Sequence, residues 1–169
     1  MATIIAFDSE TKRFKAGRLA PPMICGSFST RDEEGALESI LLGNHEDDGL
    51  KAQIEWMLTD PDIKTVTQNG GFDYTVICSN WPDLIPHVFT ALIEGRATDT
   101  LWREKLLNLS TTGRLDKIQM PDGSKQRISY AMEALATSYL GIDLSADKGN
   151  MDESWRANYG ALDGWKAEH

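Results

Sequence analysis

The segment from Thr3 to Thr11 reads TIIAFDSET, which predicts a buried strand that ends in two acidic residues. The β-branched and aromatic run Thr3–Phe7 is typical of such a strand. Asp8 and Glu10 follow directly, and because side chains on a strand alternate between faces, their carboxylates point the same way. They repel each other unless a cation lies between them, and oxygen ligands suit Mg²⁺ or Mn²⁺. A solvated strand end would carry the same pattern, so both interpretations stay open.

A second acidic position follows another predicted strand, Ile63–Thr67. The segment NGGFD begins at Asn69, and its two glycines allow a tight turn and a close backbone approach. Asp73 then falls in the first turn of a predicted helix, where the helix dipole favours a negative charge. Helix capping would explain Asp73, and core packing would explain Phe72, so neither residue alone indicates chemistry.

The remaining pattern predicts an α/β domain with a mixed β-sheet flanked by helices. Further strands are predicted at Met23–Ser29 and Ser39–Leu42, and a hairpin at Arg114–Arg127. Helices are predicted at Leu50–Leu58, Phe72–Asn80, Leu84–Ile93, Thr100–Leu109 and Ser129–Leu140, the last with Ser129 as its N-cap and Gly141 just past its end. No linker interrupts residues 1–169, which predicts a single domain.

Composition excludes some classes of protein. Hydrophobic residues make up 41% of the chain, and no apolar run approaches the roughly 18 residues needed to span a bilayer. The net charge of −9 argues against a basic, non-specific nucleic-acid coat, although bound divalent cations would let an acidic pocket receive a phosphate. Cys25 and Cys78 lie in separate apolar stretches, which favours two buried reduced thiols and a cytoplasmic protein.

Taken together, the two acidic segments resemble a known family. Phe7–Thr11 resembles the first motif of DEDD-type 3′→5′ exonucleases, and Asn69–Asp73 resembles their second motif. Ala97–Leu101 resembles the Asp-Thr stretch that often follows, where Asp99 would cap a helix or support the site. The helix around Tyr130–Leu140 is similar to the one before their third motif. The resemblance is closest to the exonuclease portion of bacteriophage family A DNA polymerases, and it implies a ribonuclease H-like fold.

The resemblance also implies a mechanism and a set of site residues. Phosphodiester hydrolysis would use two Mg²⁺ or Mn²⁺ ions, roughly 3.5–4 Å apart, on either side of the scissile phosphate. The metal-binding, catalytic residues would be Asp8, Glu10 and Asp73. Thr11, Asn69 and Phe72 would position the 3′ end of a single-stranded DNA. A polymerase domain, in the same or another chain, would be a partner in the cytoplasm of a bacterium or a phage-infected host.

The family needs a fourth acid on its last helix, in a Tyr-x-x-x-Asp or similar motif. Tyr159 and Asp163 match that spacing, but the neighbouring Gly160 and Gly164 each disfavour a helix by about 1 kcal/mol relative to alanine. We therefore expect Tyr159 and Asp163 to be a chance match. The chain would then end before its third motif and cleave weakly.

Two other functions compete with an exonuclease. One is a catalytically inactive nucleic-acid-binding or structural module of a DNA polymerase, in which the carboxylates would bind no metal. The other is a different ribonuclease H-like nuclease, although those enzymes lack the Asn-x-x-Phe-Asp segment. The sequence does not distinguish a DNA from an RNA substrate, because no reader of base edges is recognisable, and it leaves the oligomeric state open.

Overall fold

A computed structural model describes residues 2–12, 15–43, 49–115, 117–119 and 122–144 of the chain. The Tyr159 and Asp163 pair lies outside these residues. The described chain divides into two compact units, one ending at Asp99 and the other beginning at Thr100. No helix in the described ranges is long and apolar enough to cross a membrane.

The first unit is built on a five-stranded mixed sheet in the order β3-β2-β1-β4-β5. Its strands are β1 Thr3–Thr11, β2 Met23–Arg31, β3 Leu37–Gly43, β4 Ile63–Thr67 and β5 Ala97–Asp99. The first three strands are antiparallel neighbours, whereas β1, β4 and β5 run parallel. The carboxyl ends of β1, β4 and β5 therefore meet at one edge of the sheet.

Three α-helices and one short 3₁₀-helix accompany this sheet: α1 Gly49–Thr59, α2 Gly70–Asn80, the 3₁₀-helix Pro82–Leu84 and α3 Ile85–Ile93. The core lies on one face of β1, where Ile5 and Phe7 are buried while Ile4 and Ala6 are exposed. Phe7 packs on Phe28 of β2 with ring centroids 5.1 Å apart. The buried side chains of α1 and α2 complete this apolar cluster.

The second unit contains α4 Thr100–Thr112, a hairpin of β6 Lys117–Gln119 and β7 Lys125–Arg127, and α5 Met132–Leu140. Neither α4 nor α5 has a buried residue. Polar contacts join its elements instead. The Tyr139 hydroxyl donates to Glu104 over 2.6 Å, and the Tyr130 hydroxyl donates to the Leu115 carbonyl over 2.8 Å.

The structure confirms the predicted mixed sheet flanked by helices, and it corrects some details. Strand β5 was not predicted, because three residues are too short to show a period. The predicted Ser129 N-cap is wrong: α5 begins after Ala131, whose N–H donates to the Ser129 hydroxyl oxygen at 3.4 Å. Gly141 ends α5 at φ 68°, as predicted. The single-domain interpretation of residues 1–169 stays a prediction.

The two cysteines are free thiols, as the sequence predicts. Cys25 is buried, whereas Cys78 is only half-buried, so burial was predicted correctly for one of the two. Burial raises the pKa of the Cys78 thiol, which disfavours the reactive thiolate.

Candidate active site

The candidate site lies where β1 and β4 separate. The two strands pair only from Thr3 and Ile63 to Ala6 and Val66. Beyond this point β1 continues to Thr11, while the chain after β4 turns into α2. The part of β1 that carries the acids therefore lies beside the first turn of α2, which carries Asp73.

Asp73 is anchored to the strand between the two predicted acids. Its Oδ1 accepts hydrogen bonds from the Ser9 backbone N–H at 3.1 Å and from the Ser9 hydroxyl at 2.5 Å. Ser9 is buried, and Asp73 is 2% exposed. Because buried polar groups are costly unless they are paired, this contact holds the Asp73 carboxylate against β1. Both bonds end on the same carboxylate oxygen.

The pKa values of Asp73 and Asp8 are both raised. Burial, opposed by the Ser9 hydroxyl and reinforced by the nearby charge of Asp8, raises the pKa of Asp73 to about 6. The Asp8 side chain reaches solvent, yet the surrounding protein desolvates it enough to raise its pKa as well. Two neighbouring carboxylates that both hold protons more tightly than usual form a site where a cation would be stabilising.

The N-terminus of α2 is shaped to bring Asp73 to this place. Asn69 adopts a left-handed conformation with φ 67°, and the Phe72 N–H donates to its carbonyl. At Gly70, an added Cβ would overlap Thr67 Oγ1 and lie 3.1 Å from the Tyr74 ring, so only glycine fits. The predicted close approach of backbone at the two glycines is thus found at Gly70.

Asp99, at the end of β5, caps the same helix. Its carboxylate accepts the backbone N–H groups of Asn69 at 3.2 Å and Gly70 at 2.8 Å. These are donors that a helix N-terminus leaves without an intrahelical partner. Asp99 thus has the capping role expected from the sequence, and its carboxylate is committed to α2.

The other predicted site residues lie around this pair with different surroundings. Glu10 is exposed on the same face of β1 as Asp8, and the pairing of β1 with β2 is irregular between Glu10 and Thr11. Such irregularities re-aim side chains and recur beside active sites. Asn69 is exposed, whereas Phe72 is partly buried against the core. At least part of the Phe72 side chain therefore packs against the core, as core packing predicts.

The structure holds Asp73 against Ser9, the residue between Asp8 and Glu10, but it does not assemble a complete cation site. Within the described part of the chain, no three His, Cys, Asp or Glu side chains lie close enough to hold a metal ion. Asp8 and Asp73 still fit a hard divalent cation, because they supply oxygen ligands whose mutual repulsion such an ion would relieve. The metal-binding trio of Asp8, Glu10 and Asp73 stays a prediction.

Comparison with solved structures identifies the fold. No protein-family model matches the chain, and no curated protein matches it in sequence. E. coli exonuclease I in complex with a dA16 oligonucleotide superposes with a TM-score of 0.57 at 15% identity, covering 85% of this chain and 37% of that one. The chain shares its fold with part of exonuclease I. This confirms the predicted ribonuclease H-like fold, while the resemblance to polymerase proofreading domains stays a prediction.

Two further solved structures superpose on the chain with similar TM-scores. E. coli exonuclease I with a dT13 oligonucleotide gives a TM-score of 0.51 at 16% identity, covering 86% of this chain and 37% of that one. An apo form of a nuclease gives 0.53 at 15% identity, covering 94% and 65%. The chain therefore spans between about a third and two thirds of the length of these proteins.

Sequence reasoning missed one residue of the site, Ser9. Strand alternation turns Ser9 away from Asp8 and Glu10 and towards the core. A hydroxyl in a buried strand position needs a partner, and that requirement was a signal that could have been read from the sequence. The identity of the partner could not, because Asp73 lies 64 residues away along the chain.

Proposed function

We propose that this chain is a metal-dependent 3′→5′ exonuclease module that hydrolyses phosphodiester bonds at the 3′ end of single-stranded DNA, in proofreading or DNA processing. The observation that carries the proposal is the pair of hydrogen bonds from Ser9 to the buried Asp73, which joins the two segments that match the exonuclease motifs, on a fold shared with exonuclease I. The oligonucleotides bound to exonuclease I support single-stranded DNA as the substrate class.

The location of the pair supports a binding site. In open α/β sheets, ligands bind outside the carboxyl ends of the strands, where connections leave in opposite directions. The point between β1 and β4 meets this description, since β1 leads into β2 on one side and β4 leads towards β5 on the other. Asp8 and Asp73 lie at this point.

The residues of the chain would act as follows. Asp8, Glu10 and Asp73 would hold the cation through their carboxylate oxygens. Ser9 keeps Asp73 in place, so that its carboxylate needs little reorganisation. Bound Mg²⁺ or Mn²⁺ would polarise the scissile phosphate and activate a water molecule. Thr11, Asn69 and Phe72 would orient the terminal nucleotides.

One observation favours a second candidate, a catalytically inactive exonuclease-like module of a DNA polymerase. No group of three metal-binding side chains is preassembled among the described residues. In an inactive module, no cation would bind at Asp8 and Asp73. One of the two carboxyls would instead hold a proton, which removes the repulsion between them. The two candidates therefore differ in cation binding.

Calorimetry with Mn²⁺ and digestion of a 5′-labelled single-stranded oligonucleotide test the proposal together. We expect Mn²⁺ binding that is lost in Asp8→Asn and in Asp73→Asn. We also expect 3′-end shortening that falls at least about 100-fold in both variants, since even groups behind metal ligands contribute about 10–100-fold. Asp83→Asn, an exposed acid paired with Lys51, is the matched control and should leave both unchanged.

The outcomes separate the candidates. Mn²⁺ binding without digestion would favour the inactive module, and absence of Asp8-dependent binding would overturn the exonuclease proposal. Comparison with Asp163→Ala tests the fourth acid. Strong digestion that disappears in that variant would show that Tyr159 and Asp163 serve as the third motif.

A further inference from the structure

The β6–β7 hairpin concentrates positive charge on one face. Lys117 is paired directly with Arg127, and Lys125 is two residues from Arg127, so all three share one face of the ribbon. All three are exposed. Like charges directly opposite each other destabilise a two-stranded ribbon unless an anion lies between them. Among the described residues of the hairpin, the acidic residue is Asp122. Its carboxylate accepts a hydrogen bond from the Ser124 N–H at 2.9 Å.

This concentration contrasts with the rest of the molecule. The whole chain has 17 basic and 26 acidic residues. Residues 100–144 have six basic and five acidic ones, and one of those acids, Glu104, accepts bonds from Tyr139 and Asn108. The hairpin is therefore a local cationic surface on an acidic protein.

Aromatic rings lie at the base of the same hairpin. The Lys105 ammonium lies 4.5 Å from the centroid of the Trp102 ring and 5.8 Å from that of Tyr130. The Tyr130 hydroxyl bonds to the carbonyl of Leu115, which joins the residues on either side of the hairpin. Trp102 is 55% exposed. A cation thus lies over an exposed indole ring and a half-buried phenol ring, and the Tyr130 hydroxyl bond links this group to the base of the hairpin.

We propose that Lys117, Lys125 and Arg127, with Lys105 and Trp102, form a surface that binds a single-stranded nucleic acid. Cations placed along a ribbon match successive phosphates, and an exposed indole provides a stacking platform for a base of any sequence. An acidic peptide would satisfy the charges but not the rings. The inference rests on the proposed function in taking the strand to be the substrate.

The binding test uses the full chain in EDTA, so that it does not depend on metal or cleavage. Fluorescence anisotropy measures the affinity for a labelled mixed-sequence oligonucleotide over a range of salt concentrations. We expect Lys125→Gln/Arg127→Gln to weaken binding about tenfold and to reduce the salt slope by about 1.4, or about 0.7 for each phosphate that is no longer neutralised. Lys64→Gln, an exposed cation on β4, is the control and should change neither quantity appreciably.

The ring contribution has its own matched pair. We expect Trp102→Ala to weaken binding about fivefold or more, as removal of base stacking predicts. Trp56→Ala, an exposed tryptophan in α1, should bind like the wild type. Circular dichroism melting of each variant verifies that the fold is retained.

Wild-type affinity in the hairpin variant would overturn the inference, as would competition by polyglutamate as effective as that by an oligonucleotide of equal charge. Failure of the two proposals is distinguishable. If the oligonucleotide binds through the hairpin but the chain never cleaves it, only the proposed exonuclease function is contradicted. If the chain cleaves in the presence of metal but the hairpin variants bind the oligonucleotide as tightly as the wild type, only the proposed binding surface is contradicted.

Discussion

Ser9 donates two hydrogen bonds to a single oxygen of Asp73, one from its backbone N–H over 3.1 Å and one from its hydroxyl over 2.5 Å. The contact joins the middle of the first acidic motif to the acid of the second. The contact lies beyond the point where β1 stops pairing with β4. The Asp73 carboxylate therefore accepts the Ser9 N–H, which has no partner on β4. The two motifs are therefore one structural unit.

Substitution of Ser9 tests this contact. Ser9→Ala removes the hydroxyl bond to a buried carboxylate, and we expect the free energy of unfolding at pH 8 to fall by about 1.5–3 kcal/mol. Ser9→Thr keeps a hydroxyl and should recover much of that loss. Urea denaturation measures both. Equal destabilisation by the two variants would indicate that shape rather than the hydrogen bond matters here.

The raised pKa of Asp73 makes stability depend on pH. Because its folded pKa is about 6 and the ordinary value is 3.8, the folded state binds a proton in this window that the unfolded state releases. The favourable contribution of Asp73 to the free energy of unfolding is therefore fully present below about pH 4, and it is lost as the pH rises through 6. Asp8, with its own raised pKa, acts in the same direction. We expect Asp73→Asn to raise the unfolding free energy, relative to the wild type, more at pH 8 than at pH 4.

Urea denaturation at the two pH values measures this difference. Asp83 provides a control of opposite sign, because the hydrogen bond from Lys51 lowers the pKa of Asp83. Asp83→Asn should therefore lose stability, relative to the wild type, as the pH rises towards 4, and its effect should change little between pH 4 and pH 8. A pH-independent effect of Asp73→Asn would contradict the raised pKa of Asp73.

Protons and cations should compete at the same carboxylate. With a pKa of about 6, about a tenth of Asp73 is ionised at pH 5, so we expect the apparent affinity for Mn²⁺ to be about tenfold lower at pH 5 than at pH 7.5. Isothermal calorimetry at both pH values measures the change. In Asp73→Asn the remaining binding should be weaker and depend less on pH. An affinity unaffected by pH in the wild type would exclude Asp73 from the cation site.

The two glycines before Asp73 should respond differently to substitution. Gly70→Ala places a Cβ against Thr67 Oγ1, and we expect a loss of about 1–3 kcal/mol from overpacking. Gly71→Ala meets nothing within 4 Å and should be neutral or stabilising by up to about 1 kcal/mol, since alanine favours a helix. Thermal denaturation compares them. Equal effects would show that the close approach at Gly70 is not maintained in solution.

The Asp99 cap offers a test remote from the proposed chemistry. Asp99→Ala removes the acceptor of two N–H groups at the start of α2, and we expect a loss of about 0.5–2 kcal/mol. Asp99→Asn keeps an oxygen acceptor and should lose less. Glu33→Ala, an exposed acid in the turn after β2, is the control and should be near neutral in the same melting experiment.

Much of the fold could be predicted from local pattern. Strand β4 was predicted with its exact bounds, and α1 and α2 to within two residues at each end, because their apolar spacing or flanking breakers are local signals. Strand β5 and the start of α5 were not. A three-residue strand has no period of its own, and the Ser129 hydroxyl formed a turn contact instead of a cap.

The amino-acid sequence by itself determined that Asp8 and Glu10 share one face of a strand and that Asp73 lies in the first turn of a helix, because both follow from the repeat of a local backbone conformation. Only the tertiary structure decided that Asp73 is held by Ser9, that burial raises the pKa of Asp73, and that no three such ligands are preassembled among the described residues. These relationships depend on where β4 and α2 leave β1, and that separation is set by packing between segments far apart in the chain.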